Sequence, residues 1–240
     1  MPRERLAVAI DVPLDAGERL LRQVQPYAGV AKVGLSLFVE HGPKAVQVFR
    51  DAGAEVFLDL KLHDIPNTVE LAASRAGALG VRYLTVHAAG GRKMLEAAIR
   101  GARAGAASAG VAPPTVLAVT VLTSMESDEL KSVGVADPAP VQVERLAKLA
   151  KEAGAGGLVC SVKEVAALRA LLGPGIVLCT PGIRPAGAAM GDQARVDTPA
   201  AAIKAGADLL VVGRPIYEAA DPAAAAKAIH DEVAAAALPT

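Results

Sequence analysis

Short apolar runs recur along this chain, and the gap between each and the next leaves room for a helix. Residues 6–10 are apolar without interruption and close on Asp11. A strand apolar on both faces fits a parallel sheet covered by helices, because a sheet with one wet face would alternate. Further runs of this kind fall at 30–34, 56–58, 83–87, 115–122, 157–161, 176–180 and 208–213. Between them the pattern changes to helical spacing, as at Leu20, Leu21 and Val24 before Pro26, and over residues 43–52, 66–79, about 90–107, 165–172 and 223–237.

A helix-ending glycine precedes a strand at Gly53, Gly80, Gly154 and Gly206. Glycine takes the left-handed conformation that ends a helix without steric penalty, so these positions mark a repeated helix-to-strand unit. Eight such alternations in 240 residues predict an α/β fold, a single-domain (β/α)8 TIM barrel over residues 1–240, with a doubly wound sheet as second choice. No Gly/Ser linker divides the chain.

Composition narrows the function classes. Hydrophobic residues at 52% and charged residues at 21% supply a large core and argue against disorder. Lys+Arg and Asp+Glu balance at 25 each, so no basic excess points to nucleic acid or an anionic membrane. Aromatics at 2%, without Trp, remove the stacking platforms of a single-strand binder. No stretch of about eighteen apolar residues occurs and no apolar leader follows the charged start, which predicts a soluble cytoplasmic protein. Cys160 and Cys179 lie in apolar runs without C-x-x-C spacing and read as buried small hydrophobes.

The chemistry gathers at strand ends. After the third run come Asp59, Lys61 and Asp64, with Pro66 opening a helix. Two apart on a strand, Asp59 and Lys61 share a face, while Leu58, Leu60 and Leu62 share the other. Taken alone this could be a solvated salt bridge. In a barrel, however, the C-terminal strand ends and following loops form one face, which collects Asp11, Lys32, Asp59, Lys61, His87, Thr123, Ser124, Pro181 to Arg184, Gly213 and Arg214. Lys32 sits mid-strand, where an ammonium needs a partner or a use. That convergence favours a site. The glycine-rich loop at 181–193 and Gly213-Arg214-Pro215 follow the seventh and eighth runs, where barrels of this type hold phosphate, and an arginine there can clamp phosphate oxygens. A phosphorylated substrate is inferred, with its tail at strands seven and eight and its reacting end over strand three.

Of the histidines, His41 and His230 are expected on helix surfaces, His63 in packing away from Asp59 and Lys61, and His87 beside the site. None has metal-ligand spacing. No Ser-His-Asp set, Walker loop or G-x-G-x-x-G follows a strand in this chain.

These blocks together closely resemble the orotidine 5′-monophosphate decarboxylase family: Ala9-Ile10-Asp11, Lys32-Val33-Gly34, the ten residues 59–68, Thr85-Val86-His87, Val121 to Ser124, Pro181 to Arg184, and Val211 to Tyr217. The resemblance covers essentially the whole chain. It implies decarboxylation of orotidine 5′-monophosphate to uridine 5′-monophosphate, the last step of de novo pyrimidine biosynthesis, without metal or organic cofactor. Lys61 would donate the proton to ring C6, Asp59 would sit beside the departing carboxylate, and Lys32 would complete a Lys-Asp-Lys-Asp array with Asp64. Asp11 and Lys32 would bind ribose hydroxyls, and Thr123 and Ser124 the pyrimidine. Arg184, Gln193, Gly213 and Arg214 would hold the phosphate, the first two from a closing lid, with Ile65 and Pro181 completing the substrate contacts. Asp64 and Thr68 would reach into the other subunit's site of a homodimer.

Two alternatives stand beside this reading. Mg2+-dependent sister enzymes, similar to 3-hexulose-6-phosphate synthase or 3-keto-gulonate-6-phosphate decarboxylase, share D-x-K-x-x-D but carry an acidic ligand where this chain has Lys32. A non-catalytic phosphate-ligand barrel would need the arginine and glycine loops alone.

Overall fold

Eight strands pair in chain order, each parallel to the next, and the last closes on the first: β1 (Leu6–Ile10), β2 (Val30–Val33), β3 (Glu55–Leu62), β4 (Tyr83–His87), β5 (Thr115–Val119), β6 (Gly157–Val159), β7 (Val177–Thr180) and β8 (Leu209–Val212). This computed structural model describes residues 1–185 and 197–237. The (β/α)8 barrel expected from the pattern is the observed architecture. Among the described residues, no helix is long and apolar enough to cross a membrane.

The unbroken apolar runs have a simple cause. Leu6, Val8 and Ile10 of β1 face the helical jacket, and Ala7 and Ala9 face the barrel interior. The interior cluster continues through Val30, Phe57, Tyr83, Leu117, Cys179, Leu209 and Val211. Both faces of the strands are therefore largely buried, and both are mostly apolar. The interior is packed with side chains, so an open cavity can form only at a mouth.

The jacket comprises α1 (Leu14–Val24), α2 (Leu35–His41), α3 (Pro43–Asp51), α4 (Pro66–Ala78), α5 (Gly91–Ser108), α6 (Ser127–Ser132), α7 (Ala139–Glu152), α8 (Val162–Leu172), α9 (Pro199–Ala205), α10 (Arg214–Tyr217) and α11 (Pro222–Ala236). Gly53, Gly80, Gly154 and Gly206 all have positive φ, as their helix-ending role requires. Among the described residues, five helices, α2, α6, α7, α9 and the short α10, lie outside the spacing read above. The β2–β3 connection holds α2 as well as α3, the two separated at Gly42 with φ 56°. The β5–β6 connection holds α6 and α7, and α9 precedes β8. Helix α7 was legible, since it buries Ala139, Val143, Leu146, Ala147 and Ala150 on one stripe. The fifth strand is shorter than its apolar run: Thr120 leaves the β4 ladder and bonds through its N–H to the Val159 carbonyl instead.

Helices α4 and α5 touch backbone to backbone. A Cβ on Gly105 would lie 1.8 Å from the Ser74 carbonyl oxygen, and one on Gly101 would lie 2.1 Å from that of Glu70. This contact anchors α4, which begins directly after the Asp64-Ile65 turn.

Strand β3 departs from regular geometry where the chemistry lies. Leu58 pairs with Leu84 and Leu62 with Val86, so three β3 residues, Asp59 to Lys61, stand opposite Thr85 alone. Lys61 absorbs the excess with φ 48°, the one positive-φ residue other than glycine among the described residues.

Candidate active site

The mouth at the C-terminal ends of the strands opens into a cavity of about 290 Å³. Its floor is apolar, built by Ala9, Phe57, Val159, Cys179 and Val211. Four charges stand over one side. Lys32 is opposite Ala9 on one flank and Phe57 on the other, so its side chain starts inside the barrel and can relieve its charge only upward, at the mouth. There its Nζ lies 3.6 Å from Asp59 Oδ2 and 3.9 Å from Asp11 Oδ1. Lys61 Nζ donates to the same Asp59 Oδ2 at 2.7 Å. The result is an alternating row, Asp11–Lys32–Asp59–Lys61, in which each interior charge has an opposite neighbour.

Asp59 is the most enclosed of the four, with 8% of its surface exposed. Burial alone would raise its carboxyl pKa, but Lys32, Lys61 and a hydrogen bond from Thr85 outweigh burial and hold it below the usual carboxylate range. Asp59 is therefore a fixed anion between two ammonium groups. Leu58, Leu60 and Leu62 pack into the outer core, as their alternation predicts.

The wall at the ends of β7 and β8, which adjoins Asp11 through the β8–β1 pairing, carries the arginines. Gly182, with φ 77°, turns the chain after β7 so that Ile183 and Arg184 fold back along Asp197, and the Arg184 N–H donates to the Asp197 carbonyl at 3.1 Å. Arg184 is 7% exposed yet lines the cavity. After β8, Gly213 comes so close to its neighbours that a Cβ would meet Ala9 Cβ and Tyr217 Cε1 at 3.4 Å each, and Arg214 opens the short helix α10. Two arginines after β7 and β8 thus line the same cavity as the Lys/Asp row after β1 to β3. An elongated ligand with an anionic tail and a charged reacting end matches that division.

The residues singled out from sequence separate into three groups. Asp11, Lys32, Asp59, Lys61, Thr123, Pro181, Arg184, Gly213 and Arg214 all line the cavity. Asp64, Ile65, Thr68 and Ser124 are exposed and do not line it. Asp64 turns back to accept the Ile65 N–H at 2.6 Å. Gln193 lies outside the described residues. Among the cavity residues that had been given no role are Tyr217, whose phenol pKa is raised by burial and then by Asp11, and the apolar Leu122. Thr85 was also passed over. It is fully buried, accepts the Lys61 N–H at 2.9 Å, and donates from the same Oγ1 to Asp59 Oδ1 at 2.9 Å. Its place in a β-strand opposite Asp59 gave no local signal.

His63 and His87 face each other with ring centroids 5.5 Å apart. Burial, then His63 and Lys61, lower the His87 pKa, so its ring is neutral beside the site. His63 is exposed rather than packed: it lies just beyond the end of β3 at Leu62. His41 and His230 are half-buried rather than surface residues, His230 lying edge-on to Tyr27. Cys160 and Cys179 are fully buried, and burial pushes both thiols up in pKa. Among the described residues, no group of three or more His, Cys, Asp or Glu side chains could hold a metal ion.

An α/β barrel with charged groups on the C-terminal ends of several strands and arginines on the loops after strands seven and eight belongs to the class of barrel enzymes acting on small phosphorylated molecules. The chain is a member of the orotidine 5′-phosphate decarboxylase / HUMPS family, whose model matches residues 4–229. It is 58% identical over 229 residues to the orotidine 5′-phosphate decarboxylase of Anaeromyxobacter sp. (strain K), covering 95% of this chain and 97% of that protein. Over 233 residues it is 50% identical to the enzyme of the same name from Moorella thermoacetica, covering 96% and 92%. The crystal structure of orotidine 5′-phosphate decarboxylase from Lactobacillus acidophilus superposes with a TM-score of 0.85 at 40% identity, over 96% of this chain and 99% of that one.

Proposed function

We propose that this protein decarboxylates orotidine 5′-monophosphate to uridine 5′-monophosphate and carbon dioxide, the step that yields UMP in pyrimidine biosynthesis. The observation that carries the reading is the Asp11–Lys32–Asp59–Lys61 row over an apolar floor, in one cavity with Arg184 and Arg214. Loss of carbon dioxide from ring C6 leaves an electron pair in a localised orbital with no ring system to accept it. A fixed ammonium beside that carbon stabilises the charge as it develops and then supplies the proton. Lys61 has that role, and its 2.7 Å bond to Asp59 holds it in place.

Asp59 also lies where the substrate carboxylate would sit, and two carboxylates at close range repel. Lys32 offsets part of that repulsion and, with Asp11, binds the ribose hydroxyls. Thr123 and Pro181 contact the pyrimidine, and Arg184, Gly213 and Arg214 hold the phosphate, whose binding energy closes the site around a ring that itself has few polar handles. The Mg2+-dependent sister activity is disfavoured by Lys32, whose ammonium stands 3.6 Å from Asp59, where a hard cation would need another oxygen ligand.

Residues 1–240 act in this reading as one catalytic domain of a cytoplasmic homodimer. Asp64, Ile65 and Thr68 are exposed, and α2 and α4 also expose apolar side chains, Leu35 at 51%, Val39 at 83% and Leu71 at 60%, with Ile65 itself at 66%. A second copy covering these side chains would bring Asp64 and Thr68 to its own mouth, with Ser124 closing over the ring and Gln193 over the phosphate.

The test is the ultraviolet absorbance of orotidine 5′-monophosphate mixed with purified protein in EDTA. Rapid loss of the orotate band is the expected result. An unchanged band in EDTA, with turnover of a hexulose phosphate once Mg2+ is added, overturns the proposal.

A further inference from the structure

We propose that Thr85 is a positioning residue for the reaction: its single hydroxyl, fully buried opposite the β3 bulge, locks Asp59 and Lys61 into one geometry. The inference rests on the decarboxylase reading above. The bulge puts three β3 residues against one of β4, so the ladder has no carbonyl for the Lys61 N–H, and Thr85 Oγ1 accepts it at 2.9 Å. A hydroxyl that accepts through a lone pair still has its proton to give, and Thr85 gives it to Asp59 Oδ1 at 2.9 Å. Asp59 Oδ2 is then left facing Lys61 Nζ at 2.7 Å and Lys32 Nζ at 3.6 Å. Thr85 thus ties the backbone of the proton donor to the carboxylate that steers the donor's ammonium. It also stabilises the positive φ at Lys61, a conformation a lysine resists.

A small shift of a group over the reacting carbon is costly for rate while leaving remote binding contacts untouched, so the effect belongs in kcat. Valine has threonine's shape and no hydroxyl. Thr85→Val is expected to lower kcat about tenfold to a hundredfold, with KM for orotidine 5′-monophosphate changed by less than about threefold. Losing one hydrogen bond to the Asp59 carboxylate moves the acid limb of the kcat profile to higher pH. Thr85→Ser, which keeps the hydroxyl, is expected to restore both. Thr85→Cys, close in volume and a weak hydrogen-bonding group, replaces the valine variant if that chain does not fold. A hydroxyl-free variant with wild-type kcat and an unmoved acid limb overturns the proposal, as does a folded serine variant as slow as valine. Wild-type protein run alongside separates the two readings: if it leaves the substrate unchanged, the decarboxylase assignment fails. The Asp59–Thr85 link is then judged by the carbon-13 titration of the Asp59 carboxyl, which rises in the valine variant if the link holds and stays put if it does not.

Discussion

Lys61 Nζ reaches Asp59 Oδ2 at 2.7 Å although the two residues sit two apart on one strand. In a regular strand such side chains run parallel, with their origins about two residue rises apart. Here the bulge and the positive φ at Lys61 break the regular geometry at the point where the ammonium meets the carboxylate. Backbone strain and a fixed ion pair thus coincide at the reacting end of the cavity.

That strain is measurable. Lys61→Gly and Lys61→Ala both remove the ammonium, and each is expected to lose at least about a thousandfold in turnover. They differ in backbone: alanine keeps the left-handed penalty and glycine does not. Urea unfolding should find the glycine variant the more stable by about 1 kcal/mol, the reverse of the usual order in a strand. Equal stability, or alanine ahead, would mean that the backbone at residue 61 relaxes when the lysine is removed.

Arg214 stands on the wall assigned to phosphate. Charged hydrogen bonds of this type contribute about 1.5–3 kcal/mol, so Arg214→Ala should raise KM for orotidine 5′-monophosphate by roughly tenfold to a hundredfold. The nucleoside orotidine, which has no phosphate, should react equally with both proteins. A parallel loss with orotidine would place Arg214 elsewhere in the mechanism.

The depressed Asp59 pKa makes a prediction for stability. A carboxylate whose folded pKa lies below its unfolded one stabilises the fold at pH above the unfolded value, and that contribution is lost as pH falls through the folded value. His87, whose pKa is also lowered, acts in the same direction as pH falls from the ordinary histidine value. Urea midpoints should therefore fall on acidification in two stages, and the lower stage should shrink in Asp59→Asn. An identical acid slope in that variant would show that Asp59 is not the group responsible.

The shared-site reading predicts complementation. Asp64→Ala and Lys61→Ala proteins, each inactive alone, should regain part of the wild-type rate after subunit exchange, because one mixed dimer site keeps both residues. Leu71→Asp, which puts a charge in place of an exposed apolar side chain, should shift the protein toward monomer in sedimentation. Verified mixed dimers with no activity would rule out a contribution of Asp64 across the interface.

Much of the fold is local information and was present in the order of residues. Strands buried on both faces are mostly apolar, glycine suits the left-handed end of a helix that turns into a strand, and charged residues in such a fold gather where their heads can reach the mouth. Leu6 to Ile10, Gly53 and the placement of Asp11, Lys32 and Asp59 were legible for those reasons. The apolar stripe of α7 was equally local. What only the tertiary structure decided depends on pairing between distant segments. The β3 bulge exists because Leu62 pairs with Val86 two residues out of register, and no β3 residue encodes the position of Val86. The partnership of Thr85 with Asp59, 26 residues away in sequence, follows from that register. Lys32 meets Asp59 because a closed barrel sets neighbouring strands side by side and leaves the mouth as the one place for a long charged side chain. Sequence determines which residues can be buried; strand register determines which of them meet.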